Sequence, residues 1–408
     1  MSLFDRLLRR VGRGRADPLM GEGFRRLFVD VSTIAQHDAR TGIQRVVRAV
    51  LLQLLHNPPD DFAVVPVAAM ARRGYCAAPF DPVTGKVSLP PPDSPLLCGV
   101  AGDIFLGLDL AAHRLSRHRR QIAGWRRRGV AIHVVVYDLL PLQHPEWFPA
   151  STARNFRKWL QVLARLSDGA VCISHAVARD LEHWLAANAV RPVTIAVMPL
   201  SGAVEASNPS HGMDEEGRRA IDWMRSAPTV LMVGTIEPRK GHDAVLAAME
   251  RLWRERREAA PNLLIIGRLG WHMEGLQRML NQHPERGSRL RWLGNASDEL
   301  LLACYAHAAL VIVASRGEGF GLPIVEARQR GLKVLARDLP VFHEQADEGV
   351  FFFSSDAPER LTDDIMHVLK ADGTAARPAG GWIDSIDRLL LALGTPRTRQ
   401  AGSVNPAS

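Results

Sequence analysis

The chain has 408 residues, more than one hydrophobic core usually serves, so two domains are expected. Its 47% hydrophobic and 23% charged residues are ordinary globular usage, which excludes a largely disordered or fibrous protein. The net charge of +8 favours anionic partners, and Cys76, Cys98, Cys172 and Cys304 are too scattered for a zinc motif or a disulfide framework. With no apolar run of membrane-spanning length, a cytoplasmic protein is expected.

In "MSLFDRLLRRVGRGR", Phe4, Leu7, Leu8 and Val11 recur at helical spacing with arginines between them. That pattern suits a basic amphipathic helix lying on an anionic membrane surface, and equally a terminal helix docked on its own domain. Next, "RRLFVDVS" reads as a buried strand and "TGIQRVVRAVLLQLL" as a helix entered at Gly42. Strand and helix then alternate through "DFAVVPV", "GDIFLGLD", the arginine-rich stretch His113 to Val130, "AIHVVVYD", "HPEWFPASTARNFRKWLQVLARL", "DGAVCIS", "HAVARDLEHWLAA" and "VTIAVMPL". Short apolar strands separated by helical periods predict a parallel sheet covered on both faces. A Gly, Ser and charge-rich stretch, 203–224, reads as a linker. The rhythm restarts with "TVLMVGTIEPRKGHDAVLAAM", "NLLIIGRLG", "RLRWLGNASDELLLACYAHAALVIVAS", "GLKVLARD" and "GVFFFS", predicting a second doubly wound unit. Ligands of such sheets bind where strands end and helices begin, so the cleft between the two units is the expected site.

Two clusters carry chemistry. In "SRGEGFGLPIVEA", a strand precedes the loop and Pro323 suits a first helical turn. Gly319 and Gly321 let backbone N–H groups, with those of Phe320 and Leu322, approach a ligand at the positive end of a helix. Glu318 comes from the loop and Glu326 from one turn inside the helix, and two carboxylates there can accept from the vicinal hydroxyls of a polyol. In "VGTIEPRKG", a strand ends at Gly234 and a helix begins near Gly241, with Arg239 and Lys240 between them. Two cations at a strand end facing a helix N-terminus make a diphosphate site.

Taken whole, "SxxEGFGLPxxEA" resembles the Glu-x7-Glu signature of retaining glycosyltransferase family 4, which has the GT-B fold of two facing Rossmann-like domains. "GTIEPRKG" is similar to that family's "GTxxPRKN", with Gly241 at the asparagine position. "LLIIGRLGW" and "RWLGNASDELLLACYAHA" look like its strands around the nucleotide base, and "RDLPVFHEQADEGVFFFSSD" like its closing segment, keeping Asp338, Pro340 and Glu344. "TGIQRVV" resembles the glycine turn facing the donor phosphate, matching Gly42 and Arg45. "YDLLPLQHPEWF" resembles "HDxxPxxxPxxF", keeping Asp138 and Pro141 but with Tyr137 where relatives place a histidine that touches the transferred sugar. "VCISHAVARDL" keeps Ser174 and Asp180, with His175 and Val177 at two departing positions.

Residue pattern and composition divide off a basic segment 1–20, a linker 203–224, a helix 379–394 that could cross back to the first domain, and a disordered tail 395–408, and the resemblance implies an acceptor domain 21–202 and a nucleotide-sugar donor domain 225–378. It implies a hexosyltransferase of the O-antigen and exopolysaccharide mannosyltransferase kind. The expected partners are a nucleotide-sugar donor, GDP-mannose by preference, a glycan acceptor carried on a polyprenyl diphosphate, and an anionic inner-membrane face, with no metal, no separate cofactor and no nucleic acid. Arg239 and Lys240 would stabilise the leaving diphosphate, Glu318 and the glycine-loop amides would position the sugar, Glu326 would hold the ribose, and Asp138 would serve on the acceptor side. No side chain is an obvious in-line nucleophile, and the resemblance implies a same-face transfer in which the leaving phosphate takes the acceptor proton. A GT-B epimerase or hydrolase remains an alternative, as does a basic nucleic-acid-binding protein, which needs neither cluster.

Overall fold

A computed structural model describes residues 24–39, 41–71, 73–82, 84–110, 115–371, 381–395 and 397. The apolar runs of the first half form seven strands of one sheet: β1 (Arg25–Asp30), β2 (Phe62–Met70), β3 (Gly74–Ala77), β6 (Ile104–Gly107), β7 (Ala131–Val136), β8 (Gly169–Cys172) and β9 (Thr194–Val197). Two short strands between them, β4 (Phe80–Asp81) and β5 (Lys86–Val87), pair only with each other. The sheet order is β3-β2-β1-β6-β7-β8-β9, parallel except where β3 returns antiparallel on β2. Helices on both faces account for the near-continuous burial of its strands.

The second sheet takes β10 (Thr229–Val233), β11 (Asn262–Ile266), β12 (Leu290–Leu293), β13 (Leu310–Val313), β14 (Val334–Arg337) and β15 (Val350–Phe353), in the order β12-β11-β10-β13-β14-β15. Every pairing in it is parallel. Its first strand lies in the middle, so chain order reverses between β10 and β13. That is the switch point at which open α/β sheets bind ligands, and the two motif loops, after β10 and after β13, leave from its two sides.

The stretch read as a linker differs in its second half. Residues Glu215–Ser226 form a helix, capped by the Asp214 side chain accepting from the Gly217 N–H at 2.8 Å. Its Ala220, Ile221 and Met224 are buried against Leu231 and Leu264 of the second sheet. The charged residues that suggested a linker sit on this helix's outer side, where composition alone hides the apolar stripe. The helix Trp382–Ala392 packs on the first sheet's core through Trp382, Ile386, Leu389 and Leu390. The segment 1–20 lies outside the described residues, as does nearly all of 395–408. Among the described residues no helix is long and apolar enough to cross a membrane.

Candidate active site

The loop after β13 is drawn into contact with the first sheet. A Cβ on Gly319 would lie 1.8 Å from the Tyr137 carbonyl oxygen and 3.3 Å from Asp138 Cβ, so only glycine permits this approach. The Ser174 hydroxyl, which caps its own helix through the Val177 N–H, donates to the Gly319 carbonyl at 2.7 Å. Phe320 is buried in the first sheet's core although it belongs to the second half. Further contacts tie the halves together. The Glu344 carboxylate accepts from the N–H groups of His175 (2.7 Å) and Ala176 (2.6 Å), two amides a helix N-terminus leaves unpaired, and the Trp271 indole donates to the Trp147 carbonyl at 2.7 Å.

Between the halves lies a cavity of about 500 Å³ lined by Gly42, Asp138, Gly234, Arg239, Lys240, Glu318, Gly319, Phe320, Gly321 and Leu322. It adjoins a larger cleft of about 1110 Å³ floored by the ends of β11 and β12, including Gly267, Arg268, Gly294 and Asn295. Residues of both sequence clusters, Arg239 and Lys240 on one side and Glu318 with the glycine loop on the other, therefore face one space together with Gly42 and Asp138.

The charged cluster is more compact than the sequence suggested. Arg239 Nη1 lies 2.9 Å from Glu318 Oε2, Lys240 Nζ pairs with Glu318 Oε1, and the Ser315 hydroxyl donates to Oε1 at 2.8 Å. Glu237 accepts from Arg239 Nε at 3.1 Å, and Arg239 Nη1 also donates to the Gly317 carbonyl at 2.9 Å. Burial opposes ionisation of Glu318, but Lys240 and Arg239 outweigh it and hold the carboxyl down to about 2. Burial would likewise lower Arg239, yet Glu318, Glu237 and Asp138 raise it above its ordinary value. Arg239 and Glu318 are thus both charged at neutral pH.

Asp138 sits across the cavity, just beyond β7, with Oδ1 accepting from the Leu140 N–H at 3.1 Å. Burial pushes its carboxyl up to about 6, against the pull of Arg239 and the Leu140 N–H and with the help of Glu318 and Glu237. Tyr137, at the histidine position, turns its hydroxyl away to donate to the Leu108 carbonyl at 2.9 Å. Gly42 opens the helix Gly42–His56, whose Thr41 and Gln44 form a reciprocal capping box.

Glu326 is the exception. It is only 2% exposed and lines neither large space. Its Oε1 lies 2.9 Å from Arg45 Nη2 of the first half, and its Oε2 accepts from the Tyr305 hydroxyl at 2.7 Å. Arg45, which does reach both large spaces, stands between Glu326 and the cleft, with its Nη1 left without a hydrogen-bond partner. Tyr305 and the Glu344 cap were not assigned roles from the sequence, and nothing in "LLLACYAHA" marks Tyr305, since its partner is 21 residues away. Gly241, at the asparagine position, has φ 70° and a Cβ there would meet the Ala314 carbonyl oxygen at 2.3 Å, so packing favours glycine.

Two facing doubly wound sheets with a charged pocket at the second one's switch point make up a GT-B architecture. Residues 214–379 match the family model described as Glycosyl transferases group 1, so this stretch carries a domain of that kind. It is 40% identical over 365 residues to the serotype-specific mannosyltransferase WbdA of Escherichia coli, covering 87% of this chain and 42% of WbdA. It is 27% identical over 239 residues to the Escherichia coli O-antigen chain mannosyltransferase B, covering 58% of this chain and 60% of that protein. The chain spans less than half the length of the WbdA relatives it matches. In fold it resembles sucrose-phosphate synthase from Thermosynechococcus elongatus, with TM-score 0.61, 16% identity and coverage of 91% and 95% of the two chains. It also resembles Anabaena HepE solved with UDP-glucose, with TM-score 0.59, 14% identity and the same coverage.

Proposed function

We propose that the chain transfers mannose from GDP-mannose to a glycan acceptor, with retention at the anomeric carbon and without a metal ion, in O-antigen-type polysaccharide synthesis. The observation that carries this reading is the Arg239–Glu318–Lys240 cluster on a cavity walled by both halves. The name of the WbdA relatives supports the sugar and that of the O-antigen chain mannosyltransferase B the pathway class; GDP is proposed as the carrier of that sugar.

In the reaction the bond from the anomeric carbon to the diphosphate oxygen breaks and a bond to the acceptor oxygen forms. Arg239 and Lys240 exchange part of their pairing with Glu318 for the leaving diphosphate. A unit charge about 4 Å from an anion is worth roughly 4 kcal/mol at an effective dielectric near 20, before desolvation, so two cations can carry the departing charge. Glu318 and the amides of Gly319, Phe320 and Gly321 orient the hexose, and the departing phosphate oxygen takes the acceptor proton on the same face. Asp138 orients the acceptor hydroxyl, and Arg45 moves off Glu326 when the ribose takes its place. Closure of the two halves keeps water from the anomeric carbon.

The test incubates the protein with GDP-mannose and a mannoside acceptor, with and without EDTA, and reads the product by NMR. An α-linked product, acceptor-dependent GDP release and indifference to EDTA are expected. Donor consumption without acceptor would point instead to a hydrolase or epimerase, and a β-linked product or loss of activity in EDTA would overturn retention or metal independence. Thermal shifts with GDP, UDP, dTDP and ADP sugars decide the base, with GDP-mannose expected to stabilise most.

A further inference from the structure

Outside the reaction cavity, a groove of about 650 Å³ runs between the helices Arg119–Arg127 and Ala150–Leu166, lined by Arg117, Arg119, Arg120, Lys158 and Arg165. We propose that this groove is an acceptor subsite for a phosphate or diphosphate group carried beside the glycan. The proposal rests on the transferase reading of the neighbouring cavity.

Three observations carry it. First, the groove's lining contains five cations and no carboxylate, and neither helix contains an Asp or Glu. Crowded like charges repel, and a fold needing them only for packing would intersperse acids. Second, these cations are unspent. Among the described residues Arg117, Arg120, Lys158 and Arg165 have no hydrogen bond or ion pair, and Arg119 donates only to the Ser116 carbonyl at 3.4 Å. Arg126 on the same helix differs, lying 3.6 Å from Asp168. Third, the groove opens toward the chemistry. Asn155 lines both spaces, with Thr152 and Phe156 on the reaction cavity and Lys158 and Arg165 on the groove. At 1.5 Å rise per residue, those two cations lie about 5 and 15 Å along the helix from Asn155 and on its same side. A molecule with its reacting hydroxyl in the cavity can therefore lay an anionic group among them, where guanidinium forks match phosphate oxygens. A recess that shares Asn155 with the cavity suits a group on the acceptor better than a flat lipid surface, which would favour a protruding face.

The experiment uses the full chain and the variant Arg117→Gln/Arg120→Gln/Lys158→Gln/Arg165→Gln, whose changed side chains are exposed. Two acceptors are compared, a mannoside on an alkyl diphosphate and the same mannoside on a neutral alkyl chain. The wild type should show a KM at least tenfold lower for the charged acceptor, an advantage that shrinks between 0.05 and 0.2 M salt and disappears in the variant. An unchanged KM ratio in the variant overturns the proposal. So does an unchanged ratio accompanied by variant-sensitive sedimentation with phosphatidylglycerol vesicles, which assigns the groove to lipid headgroups. If neither acceptor receives sugar, the transferase reading has failed, and calorimetry with inorganic pyrophosphate under saturating GDP decides the groove separately. Binding by wild type and not by the variant supports the groove, and no binding by wild type overturns it.

Discussion

The two walls of the reaction cavity handle charge in opposite ways. On the second half, Arg239 and Lys240 both pair directly with Glu318, and the acid stays ionised down to about 2. On the first half, Asp138 has one backbone N–H and an enclosed setting, and its proton is held up to about 6. In the proposed reaction the second half is the donor wall and the first the acceptor wall, and the donor wall is then a store of fixed charge that a diphosphate can enter by exchange. The acceptor wall is a titratable one, able to change state near neutral pH without moving. The contrast fits the division of labour in a group transfer, where one side meets permanent phosphate charge and the other a neutral hydroxyl.

The strongest way to break that contrast removes the fixed charge. Arg239→Ala/Lys240→Ala should lower kcat by about 10³-fold or more, and it strands a buried carboxylate, costing on the order of 3–5 kcal/mol of stability. Adding Glu318→Gln should restore the melting temperature without restoring turnover. If the double variant keeps kcat within tenfold, the cations do not serve the leaving group. Next in size is Gly319→Ala, which sets a methyl against the Tyr137 carbonyl oxygen and must part the two walls. A displacement of this order costs about 10²-fold in kcat/KM, with unchanged circular dichroism and a larger radius of gyration in solution scattering. An unaltered radius would mean that the loop, and not the halves, had yielded.

The titratable wall gives a smaller and sharper test. Glu318 is ionised from about pH 2 upward, its contribution to stability present above its unfolded value near 4.5 and lost as pH falls through about 2. It therefore contributes nothing to a pH profile near neutrality. Asp138 is neutral below about 6 and anionic above it, so kcat/KM should rise through pH 6, and Asp138→Asn should flatten that limb with a loss of about 10- to 100-fold at pH 8. Stability runs the other way. A carboxyl whose folded value is raised costs stability above that value and nothing below its unfolded value, so the asparagine variant should gain about 1–3 kcal/mol at pH 8 and nothing at pH 4. A limb that persists in the variant belongs to another group.

The sequence reading located the donor wall better than its geometry. Strands appear as apolar runs, glycines and cations punctuate their ends, and both loops lie on the β10/β13 switch point because strand order follows from parallel crossovers. The assigned division of roles, cations to phosphate and Glu318 to sugar, missed that the three pair with one another, because that pairing spans 78 residues. Glu326 shows the same limit. Its spacing from Glu318 is legible, but its seal by Arg45 and Tyr305 is made by residues from two other elements. The helix Glu215–Ser226 was read as linker because charge and glycine dominate its composition, and only its buried stripe reveals it. On the acceptor wall one partner of each contact is often the backbone, as at Gly319 against Tyr137 and in the hydrogen bonds of Ser174 and Glu344, and a backbone partner leaves little trace in residue type.

Tyr137 supplies the smallest effect and the finest distinction. The position resembles one where relatives use a histidine toward the sugar, but the hydroxyl here is buried and spent on the Leu108 carbonyl, with burial pushing its ionisation well above the ordinary value. Tyr137→Phe removes one buried hydrogen bond and strands a carbonyl, which costs on the order of 1–2 kcal/mol, so the melting temperature should fall by a few degrees. Because the lost group points away from the cavity, kcat should stay within about threefold and the pH limb of Asp138 should not move. A hundredfold loss of kcat with an unshifted melting temperature would place the hydroxyl on the substrate, and the acceptor wall would then be a polar contact surface rather than a titratable one.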